Sequence, residues 1–226
     1  MITKRLPFLV SFFLCLLSCS DSPTTDRFQM TGSDAMAQEV EEDTVGLPSA
    51  VFAGGCFWCT EAYFERLKGV KAVISGYAGG KKQNPTYQQV SSGLTDHAEA
   101  VEVYYNPRQI TYPELLEVFF ATHDPTTLNR QGPDVGKQYR SIVFYKTPEE
   151  KKQVEAYIRQ LEEAGTYKNR IVTKVQPLVK FWPAEDYHQD YYRRNPDDPY
   201  VVSVARPKVL KFEDNFRNKL KPAYLK

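Results

Sequence analysis

Residues 49–67 have the sequence SAVFAGGCFWCTEAYFERL, and the architecture of the chain can be worked out from this stretch. After Ser49 it begins with the apolar residues 50–53, which is typical of a short buried strand. Two glycines then interrupt the pattern, and Phe57 to Leu67 has a helical composition that stops at Gly69. The stretch therefore predicts a strand, a tight turn and a helix, with Cys56 at the turn.

The flanking sequence continues this alternation of strands and helices. Helices are predicted after Thr111 and Thr147, because each hydroxyl is followed three residues later by a Glu, as in a capping box. Mixed strands and helices without an internal repeat predict a single α+β domain, in which a mixed or antiparallel sheet is covered by helices. The further strands are predicted at Val70–Ser75, Ala98–Tyr105, Ser141–Tyr145 and Arg170–Val175.

The N-terminal segment, residues 1–19, has the form of a lipoprotein signal. Lys4 and Arg5 precede an apolar run that ends in Leu16-Leu-Ser-Cys19. The run is shorter than the roughly 20 apolar residues of a membrane-spanning helix. We expect Cys19 to be the lipidation site, and two or more acyl chains would hold the protein on a membrane. An uncleaved anchor, or a plain signal peptide with an incidental cysteine, is the alternative.

Charge separates the rest of the chain into two parts. Residues 20–47 contain seven acidic residues and one basic residue, and we expect a flexible acidic tether there. Residues 48–226 contain 26 basic and 21 acidic residues and form the predicted folded domain. This modest positive charge argues against a nucleic-acid partner. Four cysteines in 226 residues are too few for a disulfide scaffold.

Cys56 and Cys59 are the two cysteines of the predicted domain. At a strand-to-helix turn, unpaired N–H groups and the helix dipole favour ionisation of Cys56, which makes its thiol a nucleophile near neutral pH. Cys59 follows about one helical turn later, within reach of a disulfide. Two buried, unreactive cysteines would have the same spacing. No metal site is expected, because the chain has only three His and no second cysteine pair.

Glu99 occupies an unusual place in the predicted strand at residues 98–105. Alternation puts it on the same face as Val101, Val103 and Tyr105. A carboxyl group on an apolar face without a nearby cation has a raised pKa, so it can donate a proton at neutral pH. From this strand alone, a strand-end residue that reaches solvent is an equally good interpretation.

Seven short blocks along residues 50–200 resemble, in the same order, the signature blocks of the A-type peptide methionine sulfoxide reductases. They are GCFWCTE at 55–61, GYAGG at 76–80, NPTY at 84–87, HAEAV at 97–101, HDPT at 123–126, QGPDVGKQYRS at 131–141 and EDYHQ at 185–189. The resemblance implies a two-layer, ferredoxin-like sandwich. It also implies an enzyme that reduces methionine S-sulfoxide, free or in proteins, with an external thiol reductant such as thioredoxin and no bound cofactor.

The resemblance also implies a role for each matching residue. Cys56 attacks the sulfoxide sulfur and becomes a sulfenic acid as methionine leaves, while protonated Glu99 supplies a proton to the oxygen. Two phenols hydrogen-bond that oxygen, a carboxylate supports the site and an aromatic wall receives the methyl group. These residues are Tyr87 and Tyr139, Asp134, and Phe57 with Trp58. The alternative for the two tyrosines is ordinary packing.

The chain departs from many members of this family because it has no cysteine after Cys59. We therefore expect Cys59 to resolve the sulfenic acid as a disulfide with Cys56, which a thioredoxin-like protein would reduce. Direct attack by an outside thiol is the alternative. The sequence leaves two rival functions, a thiol–disulfide exchanger and a lipoprotein that binds oxidised methionine segments without turnover.

Taken together, these features lead us to expect a monomeric enzyme of the cell envelope that acts on oxidised proteins and free methionine sulfoxide. Lipid at Cys19 would anchor it to a membrane, with the catalytic domain at residues 48–226 outside the cytoplasm. His97, His123 and His188 lie in the blocks but are expected to make structural hydrogen bonds.

Overall fold

The computed structural model describes residues 44–225. The predicted signal segment, Cys19 and most of the predicted tether lie outside these residues. The strands are β1 Ser49–Ala53, β2 Val70–Ala78, β3 Ala98–Tyr105, β4 Arg130–Gln131, β5 Asp134–Val135, β6 Ile142–Tyr145, β7 Lys174–Pro177 and β8 Phe181–Pro183. The α-helices are α1 Phe57–Glu65, α2 Tyr87–Ser91, α3 Tyr112–Thr122, α4 Pro148–Glu163, α5 Tyr191–Arg194 and α6 Arg206–Asn215.

Six of these strands form one mixed sheet in the order β7-β6-β1-β3-β2-β8, while β4 and β5 form a separate pair. Only β6 and β7 run parallel among the pairs of the large sheet. The prediction of a single α+β domain with a mixed sheet is therefore confirmed. The antiparallel register pairs Phe52 of β1 with Val101 of β3, so the end of β1 lies beside the start of β3.

The larger hydrophobic core lies between the sheet and α1 and α3. Phe52 is fully buried there, stacked on Phe64 and Phe119 with ring centroids 5.2 and 5.0 Å apart. Val101 and Val103 of β3 belong to this core, whereas Ala98 and Ala100 belong to a smaller cluster. The two faces of β3 therefore separate as alternation predicts.

Three predicted strands have different bounds in the structure, and β6 differs only because it begins at Ile142 instead of Ser141. β2 continues past Ser75 to Ala78, because its last residues pair with β3 on one side and β8 on the other. The prediction of a strand at Arg170–Val175 is wrong for its first four residues. β7 begins at Lys174, where the chain first pairs with Ile142 of β6. A strand needs such a partner for its backbone hydrogen bonds, and the local sequence does not show where that partner is.

The two predicted helix caps are present but differ in detail. Thr111 and Glu114 form a reciprocal capping box, with each side chain accepting a hydrogen bond from the other residue's backbone N–H. At the second helix, Thr147 accepts from the Glu150 N–H, but the Glu150 carboxylate accepts from the Lys146 N–H instead.

The C-terminal segment packs against α1, beside the cysteines. Phe212 of α6 is buried against Tyr63 of α1, with ring centroids 5.2 Å apart. The Arg66 Nε donates to a Glu213 carboxylate oxygen at 2.8 Å. No helix within residues 44–225 has the length and apolar character needed to cross a membrane.

Candidate active site

Cys56 lies at the turn between β1 and α1, immediately before the first residue of the helix. Its backbone is non-helical, with φ −58° and ψ 122°, and only 8% of the residue is exposed. The turn depends on Gly55, whose φ is +102° and whose added Cβ would lie 2.9 Å from the Gln131 side chain. Such a conformation favours glycine, and it fixes Cys56 between the sheet and the helix.

Glu99 is buried beside Cys56, with 2% of the residue exposed. One carboxyl oxygen accepts a hydrogen bond from the Phe57 N–H at 3.1 Å. Burial, followed by the charge of Cys56, raises the pKa of Glu99 well above its usual range. The alternative of a solvent-exposed strand end is wrong, and the raised pKa favours the protonated form of the Glu99 carboxyl group.

The protonation of Cys56 differs from the sequence expectation. Burial first, and then its hydrogen bond with Cys59, raises the pKa of the Cys56 thiol, while that same bond lowers the pKa of Cys59. The Phe57 N–H, a helix-end donor expected to favour the thiolate, is bonded to Glu99 instead. Burial therefore outweighs the helix end, and the two thiols titrate as a coupled pair.

A cavity of about 260 Å³ lies above Cys56. Seven of its lining residues are the predicted ones, namely Cys56, Phe57, Trp58, Tyr87, Glu99, Asp134 and Tyr139. Burial raises the pKa of Tyr87 to about 12 and also raises that of Tyr139, so both phenols remain hydrogen-bond donors at neutral pH. Cys59 does not line this cavity.

Trp58 is held in place by two contacts on the far side of the cavity wall. Its ring stacks on Tyr191 with centroids 3.6 Å apart, and its Nε1–H donates to His188 Nδ1 at 3.1 Å. Burial lowers the pKa of His188 to about 4, so its imidazole is neutral and can accept this bond.

The other two histidines also make structural hydrogen bonds. His97 accepts from the Gly80 N–H at 3.2 Å, and His123 lies 2.7 Å from both the Phe119 carbonyl and the Ser141 hydroxyl. Within residues 44–225, no three side chains of the His, Cys, Asp and Glu types converge as a metal site.

Tyr200 is a site residue that sequence reasoning missed. Its hydroxyl donates to Asp134 at 2.8 Å and also contacts the Cys56 thiol. It is positioned by Asp198, whose carboxylate accepts from the Tyr200 N–H at 2.9 Å. Tyr200 lies outside the seven sequence blocks and is one of 15 tyrosines, so no sequence signal distinguished it.

Comparisons with known proteins agree with this geometry. The family model described as "Peptide methionine sulfoxide reductase" matches residues 48–220. The chain is 57% identical to peptide methionine sulfoxide reductase MsrA of Haloquadratum walsbyi over 172 residues, 76% of this chain and 98% of that protein. It is 54% identical to MsrA 1 of Rhodopirellula baltica, with 76% and 88% covered.

Two solved structures resemble the fold. The reduced form of Mxr1 from Saccharomyces cerevisiae has a TM-score of 0.61 and 38% identity, covering 66% of this chain and 86% of that one. Methionine sulfoxide reductase A of Corynebacterium diphtheriae has a TM-score of 0.60 and 38% identity, covering 67% and 76%.

Proposed function

The chain belongs to the peptide methionine sulfoxide reductase family, and from this premise we propose how its own residues carry out the reaction. The enzyme reduces methionine sulfoxide to methionine with thiols as the electron source, and so repairs oxidised proteins. The finer assignment is to the S-epimer, both free and within proteins. The observation that carries the mechanism is the burial of Glu99 beside the Cys56 thiol, which raises the pKa of the Glu99 carboxyl group.

In the chemical step, Cys56 Sγ attacks the sulfoxide sulfur while Glu99 protonates the sulfoxide oxygen. Oxygen is a poor leaving group unless it is protonated, so the acid is required as the sulfur–oxygen bond weakens. Tyr87 and Tyr139 donate hydrogen bonds to the same oxygen. The protonated oxygen then moves from the substrate sulfur to Cys56 Sγ as the new bond between the two sulfur atoms breaks, so methionine leaves and Cys56 becomes a sulfenic acid. The proton of Cys56 has a direct path to Cys59 through their shared hydrogen bond.

Substrate selection follows from the two walls of the cavity. Phe57 and Trp58 form an apolar surface that suits the S-methyl group, while the phenols and Glu99 face the oxygen. Because His188 and Tyr191 fix the indole, this apolar wall is preformed before substrate arrives.

The defining experiment is turnover of a synthetic S-sulfoxide peptide with dithiothreitol as the reductant, followed by chromatography of the reduced peptide. Catalytic turnover is expected without added metal or nucleotide. A protein that only binds oxidised methionine would release no reduced peptide. A thiol–disulfide exchanger would reduce a disulfide substrate and leave the sulfoxide intact.

We further propose that Cys59 resolves the Cys56 sulfenic acid. The two thiols shift each other's pKa, which is raised for Cys56 and lowered for Cys59, and both are buried. Cys56 has non-helical dihedral angles, so the pair does not have to fit a regular helical turn. The expected reductant of the disulfide is a thioredoxin-like protein.

Replacing Cys59 with Ser is expected to change the oxidised product and not the first methionine released. Wild-type protein treated with one equivalent of sulfoxide should lose two hydrogens, because water leaves as the disulfide forms. The variant should instead gain one oxygen. Intact-protein mass spectrometry distinguishes the two, and a wild-type protein that keeps the oxygen would contradict the resolving role.

The membrane attachment and the location of the enzyme are proposals from the sequence alone. We assign residues 1–19 to a lipoprotein signal, 20–47 to a tether and 48–226 to the catalytic domain, which would work as a monomer outside the cytoplasm. Support comes from the charged start, the apolar run and the Ser18-Cys19 end.

Replacing Cys19 with Ser is expected to move the protein from the membrane fraction to the soluble or unprocessed fraction. The reason is that a serine cannot carry the thioether-linked lipid. The measurement is fractionation of expressing bacteria with labelled palmitate, using Cys15→Ser as the matched control because that residue lies inside the predicted signal. Equal palmitate labelling of the Cys19 variant and wild type would refute the assignment.

A further inference from the structure

A second cleft also reaches both cysteines. Its volume is about 490 Å³, and its walls include the end of α3, the loop after α4 and one face of α6. Cys56 is the one residue that lines both this cleft and the sulfoxide cavity, whereas Cys59 lines only this cleft. The oxidised form of the cysteine pair therefore has an approach that does not pass through the substrate cavity.

The cleft is positively charged. Among the described residues that line it, the charged ones are Lys168, Lys208 and Lys211 with one acid, Asp124. The Asp124 carboxylate already accepts hydrogen bonds from the Thr126 N–H at 2.9 Å and the Thr126 hydroxyl at 2.6 Å. Lys168 and Lys211 are exposed, so their charges face an incoming molecule.

The position of the sulfur atoms limits what can reach them. Cys56 and Cys59 are 8% and 4% exposed, so they lie at the floor of the cleft. Its volume of about 490 Å³ lies within the range of small-molecule sites, about 300–1,000 Å³. A small thiol fits within a recess of this volume and can approach both sulfur atoms.

We propose that this cleft admits a low-molecular-weight anionic thiol, one that carries carboxylate or sulfonate groups, to the oxidised Cys56–Cys59 pair. This inference rests on the proposed disulfide and gives electrons a route additional to a protein reductant. The lysines match the negative groups of the thiol, and the recess matches its size.

The electron transfer takes two steps. The thiolate attacks Cys59 Sγ, which forms a mixed disulfide and releases Cys56 as a thiolate. A second thiolate then attacks the outer sulfur of the mixed disulfide and releases Cys59. Two small thiols are oxidised to one small disulfide, and the protein disulfide is reduced to two thiols.

The test measures the reduction of pre-oxidised enzyme by three small thiols of different charge. Protein oxidised with one equivalent of sulfoxide is mixed with 2-mercaptoethanesulfonate, 2-mercaptoethanol or cysteamine at equal thiolate concentration, and recovered protein thiols are counted over time. The reduction rate is expected to be highest with 2-mercaptoethanesulfonate, lower with the neutral 2-mercaptoethanol and lowest with the cationic cysteamine. The double variant Lys168→Glu/Lys211→Glu should slow the sulfonate about tenfold and leave the neutral thiol unchanged.

Lys152→Glu is the matched control, because Lys152 is exposed on α4 and does not line the cleft. It should leave all three rates unchanged. Equal rates for sulfonate and neutral thiols in the wild type, or equal slowing of both in the double variant, would overturn the inference. The inference would also be overturned if the double variant were reduced more slowly than the wild type only by a thioredoxin-like protein. Failure of the proposed function would be detected at the oxidation step, before any small thiol is added. In that case the sulfoxide would release no methionine or would leave no Cys56–Cys59 disulfide.

Discussion

Replacing Glu99 with Gln is expected to lower kcat/KM for methionine S-sulfoxide by about 10²- to 10⁴-fold, the usual contribution of a general acid. Glutamine has nearly the same volume, and its amide oxygen can still accept the Phe57 N–H bond that Glu99 accepts at 3.1 Å. It has no proton to transfer to the sulfoxide oxygen. The loss therefore reports on the chemistry and not on the packing.

The pH dependence gives a second readout for the same variant. The pKa of Glu99 is raised, so the protonated acid persists above the usual glutamate range and is lost as pH rises through the raised value. The wild-type kcat/KM should fall over that range, and the Gln variant should lack this fall. Glu102→Gln is the matched control, because Glu102 lies on the other face of β3 and pairs with Lys146 at 2.8 Å. Retention of activity in the Glu99 variant within about threefold would reject the acid role.

The thermal stability of the Glu99→Gln variant shows whether the substitution affects the chemistry or the fold. A carboxyl group whose pKa is raised by folding keeps its proton in the folded state and loses it in the unfolded state, so its contribution to stability falls as pH rises above the usual glutamate range. The Gln variant cannot release a proton on unfolding. Its Tm at pH 8 should therefore equal or exceed that of the wild type, while a large drop in Tm would mean that the substitution disturbs the fold.

Replacing Cys56 with Ser is expected to abolish sulfoxide reduction completely, including a single turnover. The serine hydroxyl keeps its proton at neutral pH and is a far weaker nucleophile than sulfur. The measurement is methionine released per protein molecule without any reductant. The wild type should release about one equivalent, because each molecule is oxidised once.

Cys59→Ser is the comparison variant for this experiment. Cys59 does not line the sulfoxide cavity, so its variant should still release about one equivalent of methionine per molecule. If the Cys56 variant released methionine as well, Cys59 or another group would have to be the nucleophile. If both variants failed, the loss would come from disturbance of the shared pair and not from removal of the attacking sulfur.

Local sequence patterns are sufficient to predict the elements that carry the chemistry. The strand ending at Ala53, the turn at Cys56 and the helix from Phe57 follow from local composition and two glycines. Alternation along β3 placed Glu99 on the same face as Val101 and Val103, because side-chain direction in a strand repeats every two residues, but it left the burial of Glu99 open. The remaining site residues came from the family resemblance, because an isolated tyrosine or aspartate has no local signature.

How these groups act on one another depends on contacts that form when the chain folds. Antiparallel pairing of β1 with β3 brings Cys56 and Glu99 together although they are 43 positions apart in the sequence. The same pairing gives the Phe57 N–H to Glu99, and burial then raises the pKa of Cys56 where the helix end alone predicts a lower one. The packing of α6 and Tyr200 against the site also depends on contacts between distant segments. Local sequence determines the face of a strand or helix on which a side chain lies. The pKa of that side chain depends on the charges near it and on how far water is excluded from it, and both depend on the whole fold.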